Sequence, residues 1–427
     1  MTKFKSIIVI LVLFSLTSIS CSTTPMPKYG SVNVPADFFG IVHAGNTTEE
    51  YPLLNELGAE WILQTFYWSG IEKEPGNFDF SWYDFYVNTA KENNKKVIAV
   101  LAYATPWLDD GRNNRYISKN NIHHFLNYVE VTVERYKGKV DAWQIWNEPN
   151  WIFWRGPNKD FFELSRLAAL KIRETDPDAF IIGGGFQSSP NVFIRQMFRA
   201  GAFENLDAIS FHPYGFTPRG SVKLHDKFIK VIKKLKFEGE IWVTEAGYPT
   251  AGYYPSRVSL KNFPSYIVKT VAGIAARGPR VLMWYQINDP FNFGEYPNYW
   301  ESELFFGLLF ADKSKKDGAW AYELCARYLP GKKYMPDLPI REKIPSNIVT
   351  FCFMSPESAE NNTNTLILWN DNNCKRKIRI VLDTSFELHD ISSGNSITLP
   401  GDTVLEVTNK PMLITWNGNS APRLLKK

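Results

Sequence analysis

The stretch 141-DAWQIWNEPN-150 decides the fold. Residues 141–146 read as a short apolar strand that stops at Asn147, Glu148 and Pro149, because proline has no N–H to give a sheet ladder. Glu148 therefore stands at the strand's C-terminal lip. The stretch 241-IWVTEAGYP-249 repeats the plan, with Glu245 at the lip and Pro249 closing it. When parallel strands open onto one pocket, residues at such lips meet there. Two carboxylates held in this way suit retaining hydrolysis of a glycosidic bond, one as acid and then base, the other as nucleophile.

Outward from these two strands, the same alternation runs through most of the chain. Strand-like runs occupy 39–44 (FGIVHA), 60–65 (EWILQT), 96–102 (KVIAVLA), 142–146, 180–184 (FIIGG), 206–212 (LDAISFH), 241–245 and 281–287 (VLMWYQI). They recur roughly every 34 residues, the size of one βα unit in a barrel of about 250 residues. Between them, 121–136, 160–175, 223–235 and 260–276 repeat apolar residues at helical steps of three and four. Eight alternations predict an α/β fold, a (β/α)8 TIM barrel over 37–332. A doubly wound nucleotide-binding sheet is the alternative, but no glycine-rich turn follows the first strand, and Gly183-Gly184-Gly185 lacks the phosphate-binding spacing. After Gly331 the pattern changes. Pro330, Pro336, Pro339 and Pro345 punctuate a linker, and short alternating runs separated by Asn, Asp, Gly and Ser predict a C-terminal antiparallel β-sandwich over 345–420. That domain carries no catalytic cluster. It reads as packing against the barrel, with a sugar-binding module as the alternative.

The chain of 427 residues has a formal charge of +4 and no long basic run, so nucleic acid is not an expected partner. Aromatics make up 15% of it, including 14 Trp, enough for sugar-stacking surfaces as well as core. At the N-terminus, Lys3 and Lys5 precede the apolar run 7–14 (IIVILVLF), too short to span a bilayer comfortably. With SLTSISC ending at Cys21, residues 1–21 resemble a bacterial lipoprotein signal with Cys21 lipidated, although Ser18 stands where Leu is usual. A secretory signal or a short membrane anchor are the alternatives. Residues 22–36 read as a polar tether. The protein is therefore expected to be exported, and held on a bacterial membrane by its lipid or else secreted. Of the remaining cysteines, Cys352 and Cys374 lie close enough in sequence to pair in an oxidising compartment, and Cys325 reads as a buried thiol.

The strand lips carry His43, Trp68, Trp107, Asn147, Glu148, His212, Tyr214, Glu245, Trp284, Tyr285 and Asn288. Trp151 and Trp154 follow Glu148 and flank Arg155, which suits a leaving-group subsite. The loop 289–303 (DPFNFGEYPNYWESE) is aromatic enough for a cleft wall, with Tyr296, Tyr299 and Trp300 as stacking candidates and Glu301 and Glu303 as rival carboxylates. This set calls for no metal and no cofactor. A metal hydrolase on the same fold would need converging His and carboxylate ligands, and the one adjacent His pair, His123-His124, falls on a helix.

WNEP at strand four, HPY after strand six, the Glu closing strand seven and the Trp of strand eight resemble clan A of the glycoside hydrolases. The segments 58–84 (GAEWILQTFYWSGIEKEPGNFDFSWYD) and 307–329 (GLLFADKSKKDGAWAYELCARYL), with the appended sandwich, are similar to family 39 within it. The resemblance covers residues 37 to 420. It implies Glu148 as acid/base, Glu245 as nucleophile, Asn147 on the sugar 2-hydroxyl, Tyr214 near the nucleophile and Trp284 as the floor of the reacting subsite. It also implies β-xylosidase- or α-iduronidase-like activity, or endo action on bacterial exopolysaccharide, and the leader and the aromatic loop favour the last. One departure stands out. Where the clan carries an Arg five places before the strand-two Trp, this chain has Leu63, and Gln64 or His43 would have to substitute through a bulge. The expectation is a retaining, endo-acting glycosidase on a β-linked polysaccharide or oligosaccharide, acting as a monomer. An exo-acting xylosidase-like enzyme and a non-catalytic carbohydrate-binding barrel are the alternatives.

Overall fold

The computed structural model describes residues 30–108, 114–252, 256–291, 302–356, 358, 362–372 and 374–426. Eight parallel strands close into a barrel: β1 (Phe39–Val42), β2 (Trp61–Tyr67), β3 (Lys96–Ala102), β4 (Ala142–Ile145), β5 (Ile181–Gln187), β6 (Ala208–His212), β7 (Glu240–Ala246) and β8 (Leu282–Trp284). Each matches one predicted run. Helices α1 (Glu50–Leu57), α2 (Ser81–Glu92), α3 (Ile122–Tyr136), α4 (Asn158–Thr175), α5 (Asn191–Arg199), α6 (Pro218–Leu235), α7 (Phe263–Ala275) and α8 (Asp317–Tyr328) follow the strands in turn. The start of α6 illustrates the local coding. Thr217 is its N-cap, accepting from Gly220 N at 3.1 Å, and Pro218 fills the first helical position, where no N–H is needed.

Period-two alternation sorts the strand residues. On β2, Phe66 packs against Tyr83 of α2 and Tyr136 of α3, whereas Leu63, Thr65 and Tyr67 line a cleft at the barrel mouth. β2 pairs with β1 and β3 in unbroken register, so the bulge that would turn Gln64 inward does not occur. The opposite end is stapled by Asp37. Its carboxylate accepts both Arg280 Nη atoms, at 2.6 and 2.8 Å, and pairs with Lys96. Its carbonyl accepts Trp61 Nε1 at 2.9 Å. One residue before β1 thus ties the starts of β2, β3 and β8 together.

In the C-terminal region, β9 (Ile348–Met354), β10 (Thr363–Asn370), β15 (Met412–Asn417), β12 (Phe386–His389) and β13 (Ser396–Leu399) pair in that order. The strand Lys333–Tyr334 extends this sheet beyond β9, and Val32–Asn33, from the segment read as a tether, pairs with it. The second sheet runs Ile340–Glu342, β16 (Arg423–Lys426), β11 (Arg376–Val381), β14 (Asp402–Val407). The sheets thus take in strands on both sides of 345–420. They are antiparallel except for Ile340–Glu342, which runs parallel to β16. Cys352, Leu366, Leu368 and Ile414 face the inter-sheet core, while Phe351, Phe353, Ile367 and Trp369 join the barrel's core. Thr365 Oγ1 donates to Tyr328 O at 2.8 Å across that seam. Cys352 is buried and Cys374 exposed, and both thiols are free, so the considered pairing does not form. Cys325 is buried, as read. Among the described residues no helix is long and apolar enough to cross a membrane. Residues 1–29, including Cys21, lie outside the described residues.

Burial alone would raise the Asp37 carboxyl, but the hydrogen bonds from Arg280 and Lys96 outweigh it and hold the pKa at about 2. A depressed carboxylate stabilises above its unfolded value, and the effect is lost as pH falls through the folded one. Asp37→Asn is expected to lower stability by about 1–3 kcal/mol, less than for a fully buried pair because Lys96 is partly exposed. The shift of the urea midpoint at pH 7 measures this. The difference from the parent should shrink as pH falls from about 4 towards 2.

Candidate active site

Glu148 and Glu245 meet at the barrel mouth with His212 between them. One ligand-capable atom from each of the three lies within 4.8 Å of the others. The route to this geometry is local. After β4, Trp146 turns outward against Phe125 of α3 and Phe161 of α4. Trp146 and Glu148 both take positive φ, 66° and 44°, and this sharp turn swings Asn147 and Glu148 into the cleft. Glu148 N donates to Gly185 O at 3.0 Å. Gly185 itself has φ +58°, and a Cβ there would sit 2.8 Å from Gln144 Nε2 and 3.0 Å from Asn147 Oδ1. Only glycine leaves room for the turn that presents the acid.

The two carboxyl groups have different surroundings. Glu148 is buried, and that burial pushes its pKa up to about 8, so it is protonated at neutral pH. Glu245 accepts the Tyr214 hydroxyl at 2.8 Å, a bond to the charged form that favours ionisation. His212 Nδ1 lies 2.9 Å from Glu148 Oε1 and 3.4 Å from Glu245 Oε2, and its Nε2 lies 3.2 Å from Thr244 Oγ1. Complete burial holds the imidazole below its ordinary pKa against the pull of Glu245, so it is neutral. The His212–Glu148 contact is thus a hydrogen bond between neutral groups rather than an ion pair. The three groups form the one set with ligand spacing among the described residues, a cluster that attention to His123-His124 overlooked.

Two aromatic walls flank the pair in a cleft of about 270 Å³. In one wall, Tyr103 packs on Phe153 at 5.6 Å and near Tyr67 at 6.2 Å, and Trp151 stands 55% exposed at the rim. On the Glu245 side, Tyr285 meets His43 and Phe306, each at 5.4 Å, and Phe306 meets Tyr214 at 6.0 Å. Leu63, Thr65 and Gln187 complete the lining. Of the predicted site residues, the structure brings together His43, Asn147, Glu148, Trp151, His212, Tyr214, Glu245 and Tyr285.

Others belong elsewhere. Trp284 is the residue before the lip, and alternation turns it outward onto Tyr248, Phe263 and Tyr322, leaving Tyr285 in the cleft. Trp68 begins a short helical turn that folds it back to stack on Tyr128 of α3, with Nε1 donating to Glu72 Oε2 at 2.5 Å. Trp107 packs edge-on to Trp68 and donates to Glu72 O at 3.0 Å. Trp154 is core, packed on Trp146 and Phe161. Asn288 donates back to Asp289 O at 2.8 Å and does not line the cleft. Gln64 is engaged by His43 Nδ1 at 3.2 Å and Asn46 at 2.7 Å, and it does not line the cleft in place of an Arg. Tyr296, Tyr299, Trp300 and Glu301 lie outside the described residues, as does the side chain of Glu303.

Tyr67, Tyr103, Phe153, Gln187 and Phe306 were not foreseen. Tyr67 ends β2 in the inward phase of the strand, a signal that counting alternate residues from Leu63 would have caught, whereas a register irregularity between Gly183 and Phe186 breaks that count on β5 before Gln187. Phe153 and Phe306 sit on loops and carry no periodic signal.

No family model matches the chain. Solved structures do resemble it. A family 39 glycoside hydrolase from the gut symbiont Bacteroides cellulosilyticus WH2 superposes with a TM-score of 0.72 at 19% identity, over 89% of this chain and 80% of that one. A monomeric β-xylosidase from Caulobacter crescentus CB15 gives 0.64 at 14% identity, over 92% and 98%. The family 39 enzyme from Xanthomonas axonopodis pv. citri gives 0.63 at 11%, over 91% and 95%. The chain shares its fold with family 39 glycoside hydrolases, as its sequence motifs suggested.

A carboxyl kept neutral by burial leaves a direct signature. The infrared band of a protonated carboxylic acid should persist at pH 7, fade as pH rises through about 8, and be missing from Glu148→Gln. The linkage runs the same way. A raised carboxyl contributes stability in full below its unfolded value of 4.5 and loses it through about 8, so the parent should lose stability relative to Glu148→Gln across that interval.

Proposed function

We propose that the protein is a retaining β-glycosidase working by double displacement on an oligosaccharide or polysaccharide. The observation that carries this reading is the unequal carboxyl pair: Glu148 buried and protonated, Glu245 hydrogen-bonded by Tyr214, with oxygens within 4.8 Å of each other. Retaining enzymes hold their carboxyl groups about 5–5.5 Å apart, whereas inverting ones leave about 6.5–9.5 Å for a water. In the first step Glu245 attacks the anomeric carbon while the Glu148 proton passes to the leaving oxygen. In the second, Glu148, now a carboxylate, takes a proton from water, and that water displaces Glu245 with net retention. Asn147, beside both groups, is placed to hold a sugar hydroxyl. Likeness in fold to a β-xylosidase and to family 39 hydrolases supports the same chemistry.

Endo action on a bacterial exopolysaccharide is the finer form of this reading. Trp151 at the rim supports it, because an exposed ring on the turn that carries the acid suits a sugar beyond the cleaved bond. The leader motif ending at Cys21 supports export and attachment to a membrane by a lipid. Leu63 in the cleft favours a second reading, a barrel that binds glycans without turning them over, since an apolar side chain offers no donor to the nucleophile.

Product release from a panel of polysaccharides and aryl β-glycosides tests the proposal. Glu148→Gln and Glu245→Gln should each lower kcat by about 10²–10⁴-fold or more. On aryl glycosides with good leaving groups, azide should restore turnover to the acid/base variant, where no carboxylate blocks it. Full turnover by Glu245→Gln, or a product of inverted configuration, would remove the double-displacement mechanism. Binding without release by the parent, matched by both variants, would favour the binding-protein reading. Separately, Cys21→Ser should move the protein from the membrane fraction to the soluble one.

A further inference from the structure

The charge around the carboxyl pair is one-sided. Among the described residues, the side chains lining the cleft include two carboxyl groups and no Lys or Arg. The lining is otherwise aromatic, aliphatic, amide or hydroxyl, with His43, whose burial lowers its pKa and leaves it neutral. His212, between the acids, is neutral as well. Arg115 lies over the Phe153 ring at 5.0 Å and is not itself a lining residue. The field of the carboxylates reaches the walls. The Tyr67 and Tyr103 hydroxyls are raised first by burial, and the charge of Glu245 raises both further.

We propose that the sugar unit held at the carboxyl pair is uncharged, and that a uronate at the same position is rejected. This rests on the glycosidase reading and narrows its substrate class. A carboxylate on the sugar ring would add a negative charge beside Glu245 in a poorly solvated cleft, with no lining cation among the described residues to pair with it. Burying such a charge unpaired is costly, and repulsion from the nucleophile at this range is weakly screened. A neutral sugar meets neither obstacle. Its C–H faces suit Tyr285 and Phe306 on one side and Tyr103 on the other, while Asn147, Gln187 and Thr65 offer hydroxyl partners.

The test uses the full chain and matched aryl glycosides that differ only at C6: 4-nitrophenyl β-D-glucoside against the β-D-glucuronide, and β-D-galactoside against β-D-galacturonide. In whichever pair is cleaved, kcat/KM for the neutral member should exceed that for the uronide by about 100-fold or more. Gln187→Lys, which places a cation in the lining, should narrow that ratio by about tenfold. A parent that cleaves the uronide within tenfold of its neutral partner overturns the proposal. If neither pair is cleaved, intrinsic tryptophan fluorescence decides the charge rule, and the enzyme reading stands or falls separately on the polysaccharide panel. A cello-oligosaccharide should then quench or shift the emission where its C6-oxidised counterpart does not, and a lack of selectivity overturns the proposal.

Discussion

A carboxyl group whose burial outweighs its hydrogen bonds stays protonated, and one held by a hydroxyl donor can keep its charge. The whole mouth of this barrel is arranged around that constraint. Glu148 sits on a turn whose backbone is fixed by Gly185 and whose surroundings are largely aromatic, so burial dominates and the proton stays. Glu245 ends β7 within reach of the Tyr214 hydroxyl. His212 touches both carboxyl groups through Nδ1, and its Nε2 meets the Thr244 hydroxyl. Four strands or their lips (β4, β5, β6 and β7) must be in register before this difference between two glutamates exists. The closed barrel supplies that register, with Asp37 tying four strand starts at the far end.

The fold was legible because its signal is repetitive. Eight apolar runs spaced by helical patterns leave few alternatives, and each run became a strand. The carboxyl pair was legible because Pro149 and Pro249 mark where strands must stop. The aromatic residues were harder, because strand phase depends on a single residue. Trp284 and Tyr285 are neighbours, yet one is packed among helices and the other lines the cleft. Trp68 and Trp154 follow strand ends, but local turns fold them back into the core, where an indole buries more apolar surface than at a rim. Phe153 and Phe306 come from irregular loops, where periodicity gives no direction.

The C-terminal sheets illustrate how one strand can serve two cores. On β10, Leu366 and Leu368 fill the sandwich while Ile367 and Trp369 pack on the barrel. Read from sequence, this is a continuous apolar run, LILW, rather than the half-polar alternation of an exposed sheet. The run itself says that both faces are covered. Lys269 lies over the Trp369 ring at 5.5 Å, and Arg219 pairs with Asp371 at 3.0 Å, so polar contacts frame the apolar seam. A domain joined so broadly stabilises the barrel whether or not it meets a sugar.

Leu63 links the fold to the chemistry. In a closed barrel a lip residue cannot be exchanged for its sequence neighbour, because neighbours point to opposite sides of the wall. β2 is in regular register, so Gln64 stays turned to His43 and Asn46, and the cleft receives Leu63. On the nucleophile side of the cleft, Tyr214 and His212 both reach Glu245, and Leu63 stands where a guanidinium would. A hydroxyl and a neutral imidazole hold a carboxylate by hydrogen bonds and add no positive charge of their own. That leaves the site net negative when Glu245 is ionised, a state that suits a developing positive charge at an anomeric carbon and opposes a second anion.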